Sequence, residues 1–69
     1  MVNTTNVAKS IKQIREKLNL SRSEFAELLG ISVSAVAMYE TGERIPRDET
    51  KYKISRLAGE TVDSIFFKE

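Results

Sequence analysis

Few side chains in this chain could carry out chemistry. The 69 residues include no cysteine and no histidine, which excludes zinc sites built on these ligands, thiol nucleophiles and imidazole bases. Two carboxylates, Glu24 and Glu27, stand three residues apart, a spacing that brings side chains together on a helix and could suit acid–base catalysis. No second chemical group gathers around them, so we expect no enzymatic activity and no metal or other cofactor.

Cationic side chains are the other functional candidates, because they can bind an anionic partner. They are concentrated in two segments. The whole chain has a formal net charge of only +1. Residues 1–20 nevertheless sum to +3, and residues 44–56 sum to another +3. Such local excess is what a surface that binds nucleic acid requires, whereas the overall charge argues only weakly for it.

The length of the chain limits it to one domain. A protein of this size buries only about 60% of its unfolded surface, which leaves room for a modest core and one binding surface. The opening segment, MVNTTNVAKS, lacks the apolar core of a signal peptide, and no run of 18 apolar residues exists. We therefore expect no membrane association and a cytoplasmic location, which the absence of cysteine also permits.

Apolar spacing predicts five short helices that would position these side chains. They cover about 7–18, 22–29, 33–40, 49–58 and a last turn within 62–67, and no segment shows a strand pattern. The side chains predicted to point inward are Val7, Ile11, Ile14, Leu18, Phe25, Leu28, Leu29, Ala35, Val36, Tyr39, Ile54, Leu57, Val62, Ile65 and Phe66.

Capping residues predict where these helices begin and end. The candidates for the five N-caps are Thr5 or Asn6, Ser21, Ser32, Asp48 and Thr61. Ser21 with Glu24 forms the S-x-x-E pattern of a capping box. Asn19, Gly30, Gly42 and Gly59 stand where the first four helices should stop.

The second and third helices are separated by only three residues, so they must turn sharply. Counting Arg22 as the first position of a twenty-residue unit, apolar residues fall at positions four, eight, ten, fifteen and eighteen, with Ala26 at the fifth and Gly30 at the ninth. A small fifth residue lets the helices cross closely, and glycine suits the turn. This spacing predicts a helix-turn-helix over about 22–41, whose second helix is held out toward the DNA major groove.

The chain resembles the lambda-repressor/Cro-type (XRE-like) helix-turn-helix regulators along nearly its whole length. The resemblance is carried by three stretches, IKQIREKLNLSRSEFAELLGIS, YETGERIP and ISRLAGETVDSIFF. It implies a compact all-α domain of five helices over residues 1–69 that binds double-stranded operator DNA as a homodimer. Many members are repressors encoded by bacteria, phages or mobile elements.

The resemblance also implies roles for particular residues. Base readout falls to Ser32, Val33, Ser34, Ala37 and Met38; phosphate contacts fall to Arg22, Thr41, Arg44, Arg47 and Lys51; and Arg15 with Glu40 matches a structural ion pair. The readout set departs from many relatives, where Gln, Arg or Asn hydrogen-bonds base edges. Because three of these residues are apolar, we expect specificity to depend more on DNA shape.

Two further interpretations remain open. The adjacent Phe66 and Phe67 are candidate dimer contacts, or both simply cover the core. The apolar third helix, Met38 included, could instead meet a protein partner, which would make the chain an interaction module, an antitoxin or an antirepressor-type partner.

Overall fold

Five α-helices joined by short turns make up the molecule. The structure is a computed structural model that describes residues 4–67, so both ends of the predicted 1–69 domain lie outside it. The helices are α1 (Thr4–Lys17), α2 (Arg22–Leu29), α3 (Val33–Thr41), α4 (Asp48–Ala58) and α5 (Val62–Phe66). No strand occurs in that range, which confirms the all-α class. None of these helices is both long and apolar enough to cross a bilayer.

Three of the predicted N-caps are present, and two are wrong. Ser21, Ser32 and Thr61 each accept a backbone N–H at the start of α2, α3 and α5. Arg47, not Asp48, holds the N-cap position of α4, and Asp48 lies in the first turn, where a carboxylate favours the positive end of the helix dipole.

The start of α1 also differs from the prediction. The helix begins at Thr4, so the predicted caps Thr5 and Asn6 both lie inside it. An apolar stripe marks only the buried turns of a helix. Because Asn6 is exposed, the first turn of α1 leaves no apolar signal in the sequence.

One core gathers side chains from all five helices. Its fully buried members are Phe25, Phe66, Ile11, Leu29, Ile54 and Val36, joined by Val7, Ile14, Ala26, Ala35, Tyr39 and Ile65. Leu57 and Val62 pack against it while partly exposed. The predicted inward set is thus largely confirmed.

Two leucines predicted to point inward are exposed instead. Leu18 is 38% exposed because α1 ends at Lys17 and Asn19 takes a left-handed φ of 58°, which turns the chain away; Leu20 packs on the core in its place. Leu28 is 56% exposed. It lies about 100° around α2 from Leu29, on the side that no other helix covers.

The packing of the helices determines which side of α3 stays open. α3 contacts α1 and α2, α5 contacts α1 and α4, and α2 also contacts α4. α1 and α2 therefore support α3 from within, and its opposite side faces solvent.

Candidate nucleic-acid interface

The turn between α2 and α3 is built from local hydrogen bonds. At the start of α2, the Glu24 N–H donates to Ser21 Oγ at 3.0 Å, and the Ser21 N–H donates back to Glu24 Oε1 at 2.8 Å. α2 ends at Gly30, whose φ of 69° is the left-handed conformation that a Cβ disfavours. The Gly30 N–H donates to the carbonyls of Ala26 and Glu27, so these two acceptors in the last turn of α2 have a backbone donor.

α3 starts immediately after this turn. The Ser32 hydroxyl accepts the N–H of Ala35 at 3.0 Å, and the helix ends at Gly42 with φ of 83°. The observed helix-turn-helix therefore runs from Arg22 to Thr41, within the predicted bounds.

The two sides of α3 differ sharply in exposure. Ala35, Val36 and Tyr39 are buried on the inner side. The outer side carries the residues assigned to base readout: Ser32, Val33 and Ser34 are exposed, with Val33 at 47%, and Ala37 and Met38 are half-buried. These five side chains thus share one accessible region, and most of it is small or apolar.

The two serines in this region have different hydrogen-bonding states. Ser32 Oγ already accepts the capping bond from Ala35. Ser34 makes no side-chain hydrogen bond to any residue within 4–67. Among the residues that the family resemblance assigns to base readout, Ser34 thus has a hydroxyl that is free both to donate and to accept.

Arg15, Arg22 and Glu40 form an ion cluster that joins α1, α2 and α3. Arg15 Nε donates to Glu40 Oε2 at 2.6 Å, and Arg15 Nη2 donates to Glu40 Oε1 at 3.2 Å. Arg15 Nη1 also donates to the carbonyl of Leu20 at 2.9 Å. Arg22 Nε reaches Glu40 Oε1 at 3.2 Å from the first turn of α2.

The cluster is largely shielded from solvent on its Arg15–Glu40 side. The Glu40 side chain is 1% exposed, that of Arg15 is 13% exposed, and that of Arg22 is 48% exposed. The hydrogen bond to Glu40 raises the pKa of Arg15, an effect that burial partly opposes. Arg15 therefore stays charged, and removing Glu40 would leave it as a nearly buried unpaired cation.

The residues that follow α3 are more exposed. The Thr41 hydroxyl lies 3.1 Å from both the Met38 carbonyl and Glu43 Oε1. Arg44 and Arg47 are exposed, and Arg47 makes no side-chain capping bond although it holds the N-cap position of α4. These two arginines make no ion pair within the described residues.

Arg44 and Arg47 line an open groove of about 390 Å³ between the end of α2, α3 and the start of α4. Lys53 and Glu49 also line it, so cations outnumber carboxylates there. The predicted phosphate residues of this segment thus share one positively charged surface.

Lys51 and the C-terminal aromatic residues occupy a separate location. The Lys51 ammonium lies 5.6 Å from the ring centre of Phe66 and 5.2 Å from that of Phe67, within cation–π range. Phe66 is 2% exposed, so its assignment as a dimer contact is wrong: α5 turns it into the core. Phe67 is 51% exposed and stays available for contact.

Two contacts of the site have no signal in the sequence. Arg22 and Glu40 are 18 positions apart, and Lys53 Nζ reaches the Leu29 carbonyl at 3.3 Å from 24 positions away. The second contact ties α4 to the end of α2. Only the packing of the helices brings these groups together, and no periodicity or capping pattern encodes that packing.

Comparisons with known proteins agree with this geometry. A family model described as helix-turn-helix matches residues 11–65. An uncharacterized HTH-type transcriptional regulator from Archaeoglobus fulgidus is 30% identical over 56 residues, which cover 81% of this chain and 79% of that protein.

A solved structure has the same fold. A crystal structure of Co(II) HppE in complex with substrate superposes with a TM-score of 0.78 at 25% identity, over 91% of this chain. The match spans only 35% of that longer chain. The family model covers far more than half of this chain and agrees with the capping box, the Gly30 turn and the buried face of α3. The chain therefore belongs to the lambda-repressor/Cro-type (XRE-like) family of helix-turn-helix regulators.

Proposed function

We propose that this protein is a sequence-specific double-stranded DNA-binding transcriptional repressor that reads the major groove with α3. The observation that carries the proposal is the outer side of α3, where Ser32, Val33 and Ser34 are small and exposed; Arg22 at the start of α2 and Arg44 and Arg47 after α3 are exposed as well. Small side chains let a helix approach the floor of the groove, and the arginines can bind the phosphates that flank it.

Base readout in this proposal is sparse. Ser34 supplies the free hydroxyl, while Val33 and Met38 offer apolar contacts to thymine methyl groups. Such contacts discriminate less than the bidentate hydrogen bonds of Arg or Gln. The shape and stiffness of the site therefore supply much of the specificity.

Affinity comes mainly from phosphates. We assign these contacts to Arg22, Thr41, Arg44 and Arg47, and leave Lys51 with the aromatic rings that it covers. A homodimer would place two copies of α3 in successive major grooves about 34 Å apart on a palindromic site. The three arginines of each copy would together neutralise about six phosphates, which gives a salt slope near −5. Bound across a promoter, the dimer would block transcription.

The test is fluorescence-anisotropy binding to duplexes selected from a random library, compared with unselected duplex. We expect a palindromic motif bound at least about a thousandfold more tightly than unselected DNA. Affinity should fall by orders of magnitude between about 50 and 200 mM salt. A promoter carrying the selected motif should be silenced by the protein in a transcription assay.

A matched pair of variants separates specific from general charge effects. Arg22→Glu with Arg44→Glu should abolish binding. Lys12→Glu with Arg56→Glu makes the same charge change at exposed positions of α1 and α4 outside the proposed interface, and should weaken binding only modestly. Equal losses from both pairs, or no selected motif, would refute groove readout.

The 47% exposure of Val33 favours one second candidate, a protein-interaction module of the antitoxin or antirepressor type. Its partner would bind the apolar outer side of α3. Binding to such a partner should survive Arg22→Glu with Arg44→Glu and be lost in Val33→Asp.

A further inference from the structure

We infer that Glu40 is a positioning residue for Arg22, and that its buried carboxylate holds the Arg22 guanidinium in the orientation that binds a DNA phosphate. The inference rests on the proposed function. The observation behind it is the 3.2 Å contact between Arg22 Nε and Glu40 Oε1, which links the first residue of α2 to the end of α3.

Glu40 is a fixed anchor because Arg15 already holds it. Both carboxylate oxygens accept hydrogen bonds from Arg15, at 2.6 and 3.2 Å, and the Glu40 side chain is 1% exposed. The position of the carboxylate therefore does not depend on Arg22. It offers Arg22 a stationary acceptor that belongs to the helix proposed to enter the groove.

Arg22 retains donors for a second partner. Its Nε donates to Glu40, its two Nη groups make no hydrogen bond within the described residues, and its side chain is 48% exposed. A guanidinium has five N–H donors in a rigid fork, so it can bind a carboxylate through one edge and a phosphate through another. Restricting the side chain before binding lowers the entropy lost when the phosphate contact forms.

The charges of the cluster permit this role. Two arginines face one carboxylate, which leaves a net +1 for an approaching phosphate. Glu24, the nearby acid in the first turn of α2, is occupied by the Ser21 N–H. Arg44 provides a comparison, because it is exposed and has no contact with Glu40.

The experiment is a double-mutant cycle on DNA affinity and salt slope. The variants are Arg22→Ala, Glu40→Gln and both together, with Arg44→Ala combined with Glu40→Gln as the matched cycle. Glutamine keeps the shape of Glu40 but carries no charge, and its NH2 group cannot accept the hydrogen bond that Arg15 Nε now donates to Oε2. It therefore holds both arginines less firmly. Helicity and thermal unfolding establish that each variant is folded.

We expect Arg22→Ala to weaken binding about tenfold and to reduce the salt slope by about 1.8, because the homodimer loses one phosphate contact in each copy. Glu40→Gln should weaken binding by a similar factor, and Arg22→Ala should then add less than about a further threefold. Arg44→Ala should cost the same factor with or without Glu40.

Other results would overturn the inference. Tighter DNA binding by Glu40→Gln would mean that the carboxylate competes with phosphate. Additive losses from Arg22→Ala and Glu40→Gln would mean that Glu40 acts only on the fold. If neither Arg22→Ala nor Arg44→Ala changes the affinity, the proposed function fails together with the inference.

A second measurement does not depend on whether a Glu40 variant folds. In NMR spectra of the unmodified protein, the Nε–H of Arg22 should be protected from exchange in the free protein and remain so on DNA; Arg22→Lys supplies its assignment. The Nε–H of Arg44 should show no protection in the free protein. Loss of the Arg22 protection on DNA, or its absence in the free protein, would contradict the positioning role.

Discussion

At the residue scale, the polar side chains of the interface divide by whether the fold already uses them. Ser32 caps α3, and Thr41 lies against a carbonyl and a carboxylate, whereas Ser34 has no partner within residues 4–67. Mutating Ser32 would therefore change the stability of α3 as well as DNA contacts. Under the proposed function, Ser34 is the position at which a change in DNA affinity would report on readout without a change in helix capping.

Glu24 makes the stability of the domain dependent on pH. The hydrogen bond from the Ser21 backbone lowers the pKa of Glu24 in the folded protein. The charged form therefore stabilises the fold above the unfolded pKa, near 4.3, and this contribution is lost as the pH falls through the folded pKa. Glu24→Gln should lower the free energy of unfolding at about pH 7, and the difference from the unmodified protein should vanish at about pH 2.

Urea unfolding across this pH range measures the effect. Glu27→Gln is the control, because Glu27 is exposed on the same helix and makes no capping bond. A gap between Glu24→Gln and the unmodified protein that stays constant down to about pH 2 would rule out the linkage.

The capping box could be predicted from the sequence because both partners lie within four residues. The Arg15–Glu40 pairing could be expected from the family resemblance alone. The contact between Arg22 and Glu40 could not be predicted, since the two residues are 18 positions apart and meet only after α2 and α3 have packed. Side-chain contacts across helices depend on packing angles that local patterns do not encode.

At the element scale, the turn between α2 and α3 depends on the conformation of Gly30. Its φ is 69°, and a Cβ there would meet only the end of the Lys53 side chain, at 3.9 Å, so the cost of adding one lies in the backbone. Gly30→Ala should lower the free energy of unfolding by about 1–2 kcal/mol. DNA affinity should fall too, because the turn determines how α3 is presented.

Gly59 provides the matched control for this prediction. Its φ is also 69°, and a Cβ added there would have no atom within 4 Å. Unlike Gly30, however, it ends α4 and lies outside the helix-turn-helix. Gly59→Ala should cost about as much stability as Gly30→Ala and leave DNA affinity unchanged. Chemical unfolding and anisotropy on the same samples make the comparison. Equal losses of affinity would show that the α2–α3 turn has no special role.

The helices of the helix-turn-helix could be predicted to within a residue because capping residues and glycines mark their ends. The side of each helix that is buried was harder to predict. Leu28 and Leu29 are chemically identical neighbours, yet Leu29 is fully buried and Leu28 is 56% exposed. The direction from which α3 and α4 approach α2 decides between them, and an apolar pattern on a short helix does not record that direction.

At the scale of the whole molecule, self-association on DNA would use Phe67. The Phe67 ring is 51% exposed and lies beside Lys51, whereas Phe66 is buried in the core. Phe67→Ala should weaken binding to a full palindromic site roughly tenfold, as expected for an aromatic interface anchor, and leave binding to a half-site unchanged.

Tyr52→Ala is the comparison, since Tyr52 is an equally exposed aromatic residue, at 55%, that stacks with Arg56 on α4. Anisotropy titrations on full and half sites measure both variants. A loss of the same size on the half-site would show that Phe67 acts on the fold or on DNA rather than between two copies.

The division of α3 into two sides has a consequence for how this protein could evolve. The residues that hold the helix in place, Ala35, Val36, Tyr39 and Glu40, alternate along the chain with those that face outward. Under the proposed function, substitutions at the exposed Val33 and Ser34 and the half-buried Ala37 and Met38 would therefore change the recognised sequence while the residues that anchor the helix stay in place. A lineage carrying this fold can drift to new targets, and an engineer can graft a new specificity, through four positions while the rest of the domain stays as it is.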